Sequence, residues 1–156
     1  MKKKYKLLTD ETTTIDGGRT LYRIEALRSF GDVKKGDKGG YIESEDNLSH
    51  DGDCWVYGYG WVSHNAMVYG NAKVYGCAWV RGTAKVYDNA HLEGFALVDG
   101  VAKVYGEAQL YDCARVYGMA KVYDCAKVYD CATVCGYAVV RGAACISGLS
   151  EVCETE

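Results

Sequence analysis

The chain has 156 residues, 25% of them charged, and a net charge of −3. That fits a single domain, with neither the basic excess of a bulk nucleic-acid binder nor a strongly acidic tail. No run approaches the ~20 apolar residues of a membrane helix, and zero Pro beside 19 Gly suits a fold of many tight corners in which each backbone donor is used.

The basic start MKKKYKLL has no apolar segment behind it, so it does not read as a signal peptide. With eight Cys and no export signal, the expectation is a cytoplasmic protein whose thiols stay reduced and serve as small apolar filler. TTTIDGGRTLYRIEAL reads as two short β runs around the turn Asp16-Gly17-Gly18, and GDVKKGDKGG is a second turn-rich stretch. Leu48 and Gly52 fall into columns of the repeat that follows, while His50 takes a Val slot, so the first coil reads as irregular. Residues 1–50 are therefore assigned to an N-terminal β cap with that irregular coil, 51–153 to the repeat, and 154–156 to a polar tail. A cap would shield unpaired strands that otherwise recruit other chains.

From Val56 to Val152 every sixth residue is Val, except for Leu92, Leu110 and Ile146. Two residues before each stands a small one: Cys54, Gly60, Ala from Ala66 to Ala144, then Ser150. In an extended segment, positions two apart share a face, so the Ala and Val columns both point inward. The residue between them (Lys73, Lys85, Lys103, Lys121) and the one after Val (Tyr69, Tyr75, Tyr87, Tyr105) point outward. A corner residue follows, mostly Gly or Asp, such as Gly58, Gly70 and Asp88, which tolerate positive φ. One hexad is one short strand and one corner. Three hexads close a triangular coil of eighteen residues, and coils stack at about 4.8 Å. The fold class is all-β: a single-stranded parallel β-helix with an N-terminal hairpin cap. Its interior is a packed rod with no ligand pocket, so function belongs to outer faces, edges and ends.

Two Cys pairs lie one coil apart, Cys113 with Cys131 and Cys135 with Cys153. A rung lies inside the Cα range of a disulfide, so oxidation is geometrically allowed. Two thiols with no His beside them are too few for a metal, and no GxGxxG or GxxxxGK[ST] occurs. No metal and no cofactor is expected.

The repeat resembles the left-handed β-helix of hexapeptide-repeat proteins. The junction Phe30-Gly31-Asp32-Val33-Lys34-Lys35-Gly36, Gly39-Gly40-Tyr41-Ile42, Leu48-Ser49 and Gly52-Asp53-Cys54-Trp55-Val56-Tyr57 is similar to the YdcK-like acyltransferase group. Short chains of this kind are typical of phage and prophage genomes. The resemblance implies left-handed crossovers, an acyl-CoA-dependent transferase using a His general base near a projecting loop, and a trimer with its groove between subunits. The weak catalytic candidates are His64, which replaces a corner Gly, and His91, outward between Lys73 and Gln109. No hexad between residues 54 and 152 is interrupted, so the projecting catalytic loop is missing, which weighs against catalysis because a functional site needs a placed constellation and not only a fold.

The outward residues sort into three faces. One holds Tyr69, Tyr87, Tyr105 and Tyr123 beside Lys85, Lys103 and Lys121, a ladder that could meet a nucleotide or nucleic acid or simply pack on itself. A second holds Trp61, Trp79 and Leu97, with Tyr59, Cys77 and Phe95 in the adjoining corner column, an apolar edge of the kind that meets protein. The third, with Tyr57, Tyr75, Glu93, Tyr111 and Tyr129, reads as solvated surface. The expectation is a non-enzymatic, rigid protein-binding solenoid of phage type that blocks or sequesters a host factor, such as a defence component. Its partner is a foreign protein, a copy of itself in a trimer or dimer, or both; the alternatives are the acyltransferase and the nucleic-acid binder.

Overall fold

A computed structural model describes residues 3–155; Met1 and Lys2 of the basic start and Glu156 of the polar tail lie outside them. Among the described residues, no helix is long and apolar enough to cross a membrane. The chain forms a β-solenoid of three sheets, nine-, six- and five-stranded, parallel throughout the coils. Most strands are two residues long, from Trp55–Val56 to Cys145–Ile146. Successive coils pair strands eighteen residues apart, as in Lys73↔His91↔Gln109 and Lys85↔Lys103↔Lys121.

The pleat explains the burial. Between strands, the outward residue donates its N–H to the next coil: Lys73 to the Ala90 carbonyl at 3.0 Å and Tyr75 to that of Leu92 at 2.7 Å. The Ala and Val columns are left to fill the interior, and from Ala66 to Val134 they are at most 1% exposed. At ~25 cal/mol per Å² of apolar area, this rod is the main source of stability.

Each corner is a tight turn closed by the next Ala, whose N–H donates to the carbonyl three residues back, as from Ala90 to Tyr87 at 3.2 Å. The second turn residue has positive φ throughout the repeat, whether Gly94 (66°), Asp88 (56°) or His64 (60°). Asp does more there than tolerate the conformation. Asp88 accepts the Gly106 N–H one coil on at 3.1 Å, Asp112 that of Asp130 at 3.1 Å, and Asp130 that of Gly148 at 2.8 Å. The carboxylate thus satisfies a corner donor that the turn leaves unpaired.

The cap is a hairpin of β1 (Tyr5–Ile15) and β2 (Arg19–Ala26), joined by Asp16–Gly18. It continues antiparallel into β3 (Lys38–Ile42), which pairs in parallel with Trp61–Val62. The first coil departs from the sequence expectation. Ile42 pairs with Val62 and Leu48 bridges Val68, both offset by twenty residues rather than eighteen. Leu48 therefore takes the Val position, and His50 leaves the column. Two surplus residues between Leu48 and Trp55 make room for a plug. Lys4, wholly buried, donates to the carbonyls of Gly52 (3.2 Å) and Cys54 (2.7 Å) and lies 4.7 Å over the Phe30 ring. Tyr5 donates to the Leu48 carbonyl at 2.6 Å and stacks on His50 at 4.2 Å. Trp55 stands in an outward column yet is 1% exposed, because Phe30 and Tyr5 pack edge-on against it.

Of the two stacked Cys pairs whose spacing allows oxidation, one is joined. Cys135 and Cys153 are joined as a disulfide, with Cα atoms 4.4 Å apart, while the other six cysteines are free. The physical reason is strand register: Thr133–Gly136 and Glu151–Glu154 pair over four residues instead of two, which places the two Cys directly opposite each other.

Candidate functional site

The nine-stranded sheet carries Trp61, Trp79 and Leu97 in one outward register. All three are half-buried. The Trp61 and Trp79 rings meet edge to face, 5.4 Å apart at 82°, and Arg81 lies 4.6 Å over the Trp79 ring while pairing with Asp99 at 2.7 Å. The adjoining corner column is far more open: Tyr59 is 67%, Phe95 66% and Leu149 87% exposed, with Cys77, Cys113 and Cys131 exposed between them. The apolar weight of the edge therefore sits on the corner and not on the tryptophans.

The cap reaches the same edge. Ile15 and Asp16 at the hairpin tip, with His64, Trp79, Arg81 and Asp99, line a cleft of about 280 Å³. A hydrogen-bonded chain ties tip to solenoid: Arg19 pairs with Glu43 at 2.8 Å, and Glu43 accepts the His64 backbone N–H at 2.7 Å. The fully buried Ser63 hydroxyl lies 2.9 Å from His64 Nδ1 and accepts the Trp79 indole N–H at 3.0 Å. An indole can only donate. Ser63 keeps both a proton and a second lone pair for His64 Nδ1, so this hydrogen bond can run in either direction with the His64 tautomer.

His91, the other catalytic candidate, lies on the six-stranded sheet between Lys73 and Gln109, its ring tilted 5.9 Å from Tyr75. It is not among the residues that line the cleft holding His64. His64 stands at a corner and His91 on a strand, and the two are not brought together.

The Tyr/Lys ladder forms on the five-stranded sheet. Tyr69, Tyr87, Tyr105 and Tyr123 stack 4.7, 4.9 and 4.8 Å apart with planes within 8°. Each inner ring has both faces taken by neighbours, so the column presents edges and hydroxyls rather than faces for a base. Burial first, then neighbouring rings and Asp88, push the Tyr87 hydroxyl above its ordinary range. Lys85, Lys103 and Lys121 stand in register beside it, and among the described residues none of them forms an ion pair.

The sequence reading missed a second apolar cluster at the corner between the nine- and five-stranded sheets. Val101, Tyr117, Met119, Tyr137 and Val139 are each 41–49% exposed. Its signal was present: Val101, Met119 and Tyr137 are spaced by eighteen, in the same way as Tyr59, Cys77 and Phe95. Asp99 of the cleft, and Ser63 and Glu43 beside it, carried no such signal, because their partners Arg81, Trp79 and Arg19 meet them only once the chain has folded.

No family model matches the sequence. Over 52 residues, 33% of the chain, it is 38% identical to a protein described as "Uncharacterized acetyltransferase YdcK" from Escherichia coli (strain K12). The matched stretch spans only 14% of that protein's length. Together with stacked coils of eighteen residues, this similarity fits a hexapeptide-repeat β-helix.

Proposed function

We propose that the protein acts by binding rather than by catalysis, as a rigid solenoid that lays the corner from Tyr59 through Phe95 to Leu149 against a protein surface. One observation carries the reading: Tyr59, Phe95 and Leu149 are 66–87% exposed in a column otherwise filled by free thiols. The opposite polar corner, running through Asp53, Asn71, Asn89 and Glu107, has nothing comparable. Isolated exposed apolar residues are ordinary, but a continuous stripe flanked by half-buried Trp is the composition of an interface core. Because the strands beside Cys77 and Phe95 (Lys73–Val74, Trp79–Val80, His91–Leu92 and Leu97–Val98) are each paired on both sides, this part of the ridge is pre-organised and ordering it on binding costs little. Such an edge suits blocking or sequestering another protein.

The test uses Tyr59→Ser with Phe95→Ser, both far enough from the core to leave the fold intact. Native mass spectrometry of the protein isolated from its own cells should lose the bound species in the double variant, with an unchanged circular-dichroism spectrum. Retention of the same complex by the variant refutes the reading.

A second reading, an acyl-CoA-dependent transferase, is favoured by the similarity to the acetyltransferase and by the cleft that unites His64 with Arg81. It requires acetyl-CoA to bind in that cleft and to be lost on Arg81→Ala and His64→Ala. Calorimetry showing no acetyl-CoA binding by the wild type removes it.

A further inference from the structure

The last rung of the nine-stranded sheet holds chemistry that the binding surface does not use. Cys135 lies on strand Thr133–Gly136 and Cys153 on strand Glu151–Glu154, directly opposite in register. Glu151 precedes Cys153 by two residues on the same strand, so its side chain emerges on the same face. Its carboxylate reaches to 3.9 Å from the Cys153 sulfur. The two sulfurs and a Glu151 oxygen all lie within 4.8 Å of one another, and this is the one such group of three among the described residues. Strand pairing brings the two sulfurs together, and the two-residue spacing along Glu151–Glu154 adds the carboxylate.

The stacked pair one corner away supplies an internal comparison. Cys113 and Cys131 are also eighteen residues apart and exposed, but the neighbouring carboxylates are committed. Asp112 accepts the Asp130 N–H at 3.1 Å and Asp130 the Gly148 N–H at 2.8 Å. That pair has two sulfurs and no converging carboxylate.

We propose that Cys135, Cys153 and Glu151 form, in the reduced chain, a site for a divalent ion of zinc type that alternates with the disulfide. Thiolates and a carboxylate are the donors zinc takes, and water completes the tetrahedral set. A phosphine or dithiol delivers two electrons to the Cys135–Cys153 bond and is itself oxidised, and the sulfurs take up two protons from solvent. Binding of the ion then releases those two protons. Disulfide and ion occupy the same place, so either one ties the edge strand Glu151–Glu154 to its neighbour, under oxidising or reducing conditions respectively.

The experiment is cobalt(II) titration of the phosphine-reduced protein under nitrogen, read by thiolate-to-cobalt charge-transfer absorption. One equivalent should produce the band, zinc(II) should bleach it, and the oxidised protein should show none. Cys135→Ser and Cys153→Ser should each abolish it. Glu151→Gln should weaken cobalt binding by at least the ~10-fold that losing even a supporting group around a metal costs. Cys113→Ser with Cys131→Ser should leave it unchanged. Three results overturn the proposal: no band in the reduced wild type, equal affinity in Glu151→Gln, or a band that vanishes with Cys113 and Cys131 instead.

Discussion

Replacing Gly94 by Ala isolates what the corners require. Gly94 has φ +66°, and a Cβ there would stand 2.8 Å from the Asp112 carbonyl oxygen and 3.0 Å from the Asp112 nitrogen. Those atoms belong to the backbone of the next coil and cannot swing aside. At Gly58 φ is +57°, and the nearest atom to an added Cβ is the Gly76 oxygen at 3.6 Å, an ordinary contact. Both substitutions carry the ~1–2 kcal/mol cost of a left-handed L-residue and the same ~0.4–1 kcal/mol gain from a stiffer unfolded chain. Only Gly94→Ala adds overpacking, at about 1–3 kcal/mol. Urea unfolding should therefore place Gly94→Ala below Gly58→Ala in stability by about 1–3 kcal/mol, at similar m-values. Gly94→Asp should recover part of the loss, because its carboxylate can accept the Asp112 N–H as Asp88 accepts that of Gly106. Equal midpoints for the two Ala variants, or no recovery by Asp, would refute the account of the corners.

The interior makes its own prediction. Val104→Ala, fully buried at mid-solenoid, should cost about 2–3 kcal/mol from two lost methyl groups and the cavity left behind, whereas Val152→Ala, half-buried on the edge strand, should cost under about 1 kcal/mol in the same urea assay. Hydrogen bonds from His50 and then Lys3 hold the Glu45 carboxyl below its ordinary 4.5. The stability this gives is present above that value and lost as pH falls through the lowered one, so Glu45→Gln should flatten the acid limb of a stability–pH profile. Burial, then the charge of Glu45, pushes the Tyr5 hydroxyl well above 10.0. The native state keeps a proton that the unfolded chain releases, so stability should fall as pH rises past 10.0, and less steeply in Tyr5→Phe.

The solenoid was legible because one rule, repeated every six residues, fixes both burial and hydrogen bonding. Val104 and Ala102 face inward for the same reason as every other member of their columns. The hairpin was legible from Asp16-Gly17-Gly18, where Gly17 and Gly18 adopt φ of 82° and 76°. The first coil was not, because the rule breaks there. Nothing in the local sequence says that Leu48 and not His50 continues the Val column; that depends on where Lys4, Tyr5 and Phe30 pack after folding. The hand of the coil is silent for a different reason, since a six-residue period is common to both. The aromatic edge was readable as a list of residues, but its balance of exposure was not. Trp79 gives its indole N–H to Ser63 and its ring face to Arg81, contacts that no spacing encodes. The disulfide and its carboxylate neighbour follow from a ladder that runs two residues longer than elsewhere, where Cys135 stands in place of the usual Tyr.

The central claim is that one corner of a rigid, uninterrupted solenoid meets a protein. Single-cysteine proteins carrying a photo-crosslinker test it most directly, with the label at Cys77, between Tyr59 and Phe95, or at Cys125, which follows Glu107 on the polar corner. The account predicts a discrete crosslinked species from Cys77 that disappears with Tyr59→Ser and Phe95→Ser, and none from Cys125. The same products from both positions, or a Cys77 product indifferent to those substitutions, would contradict it.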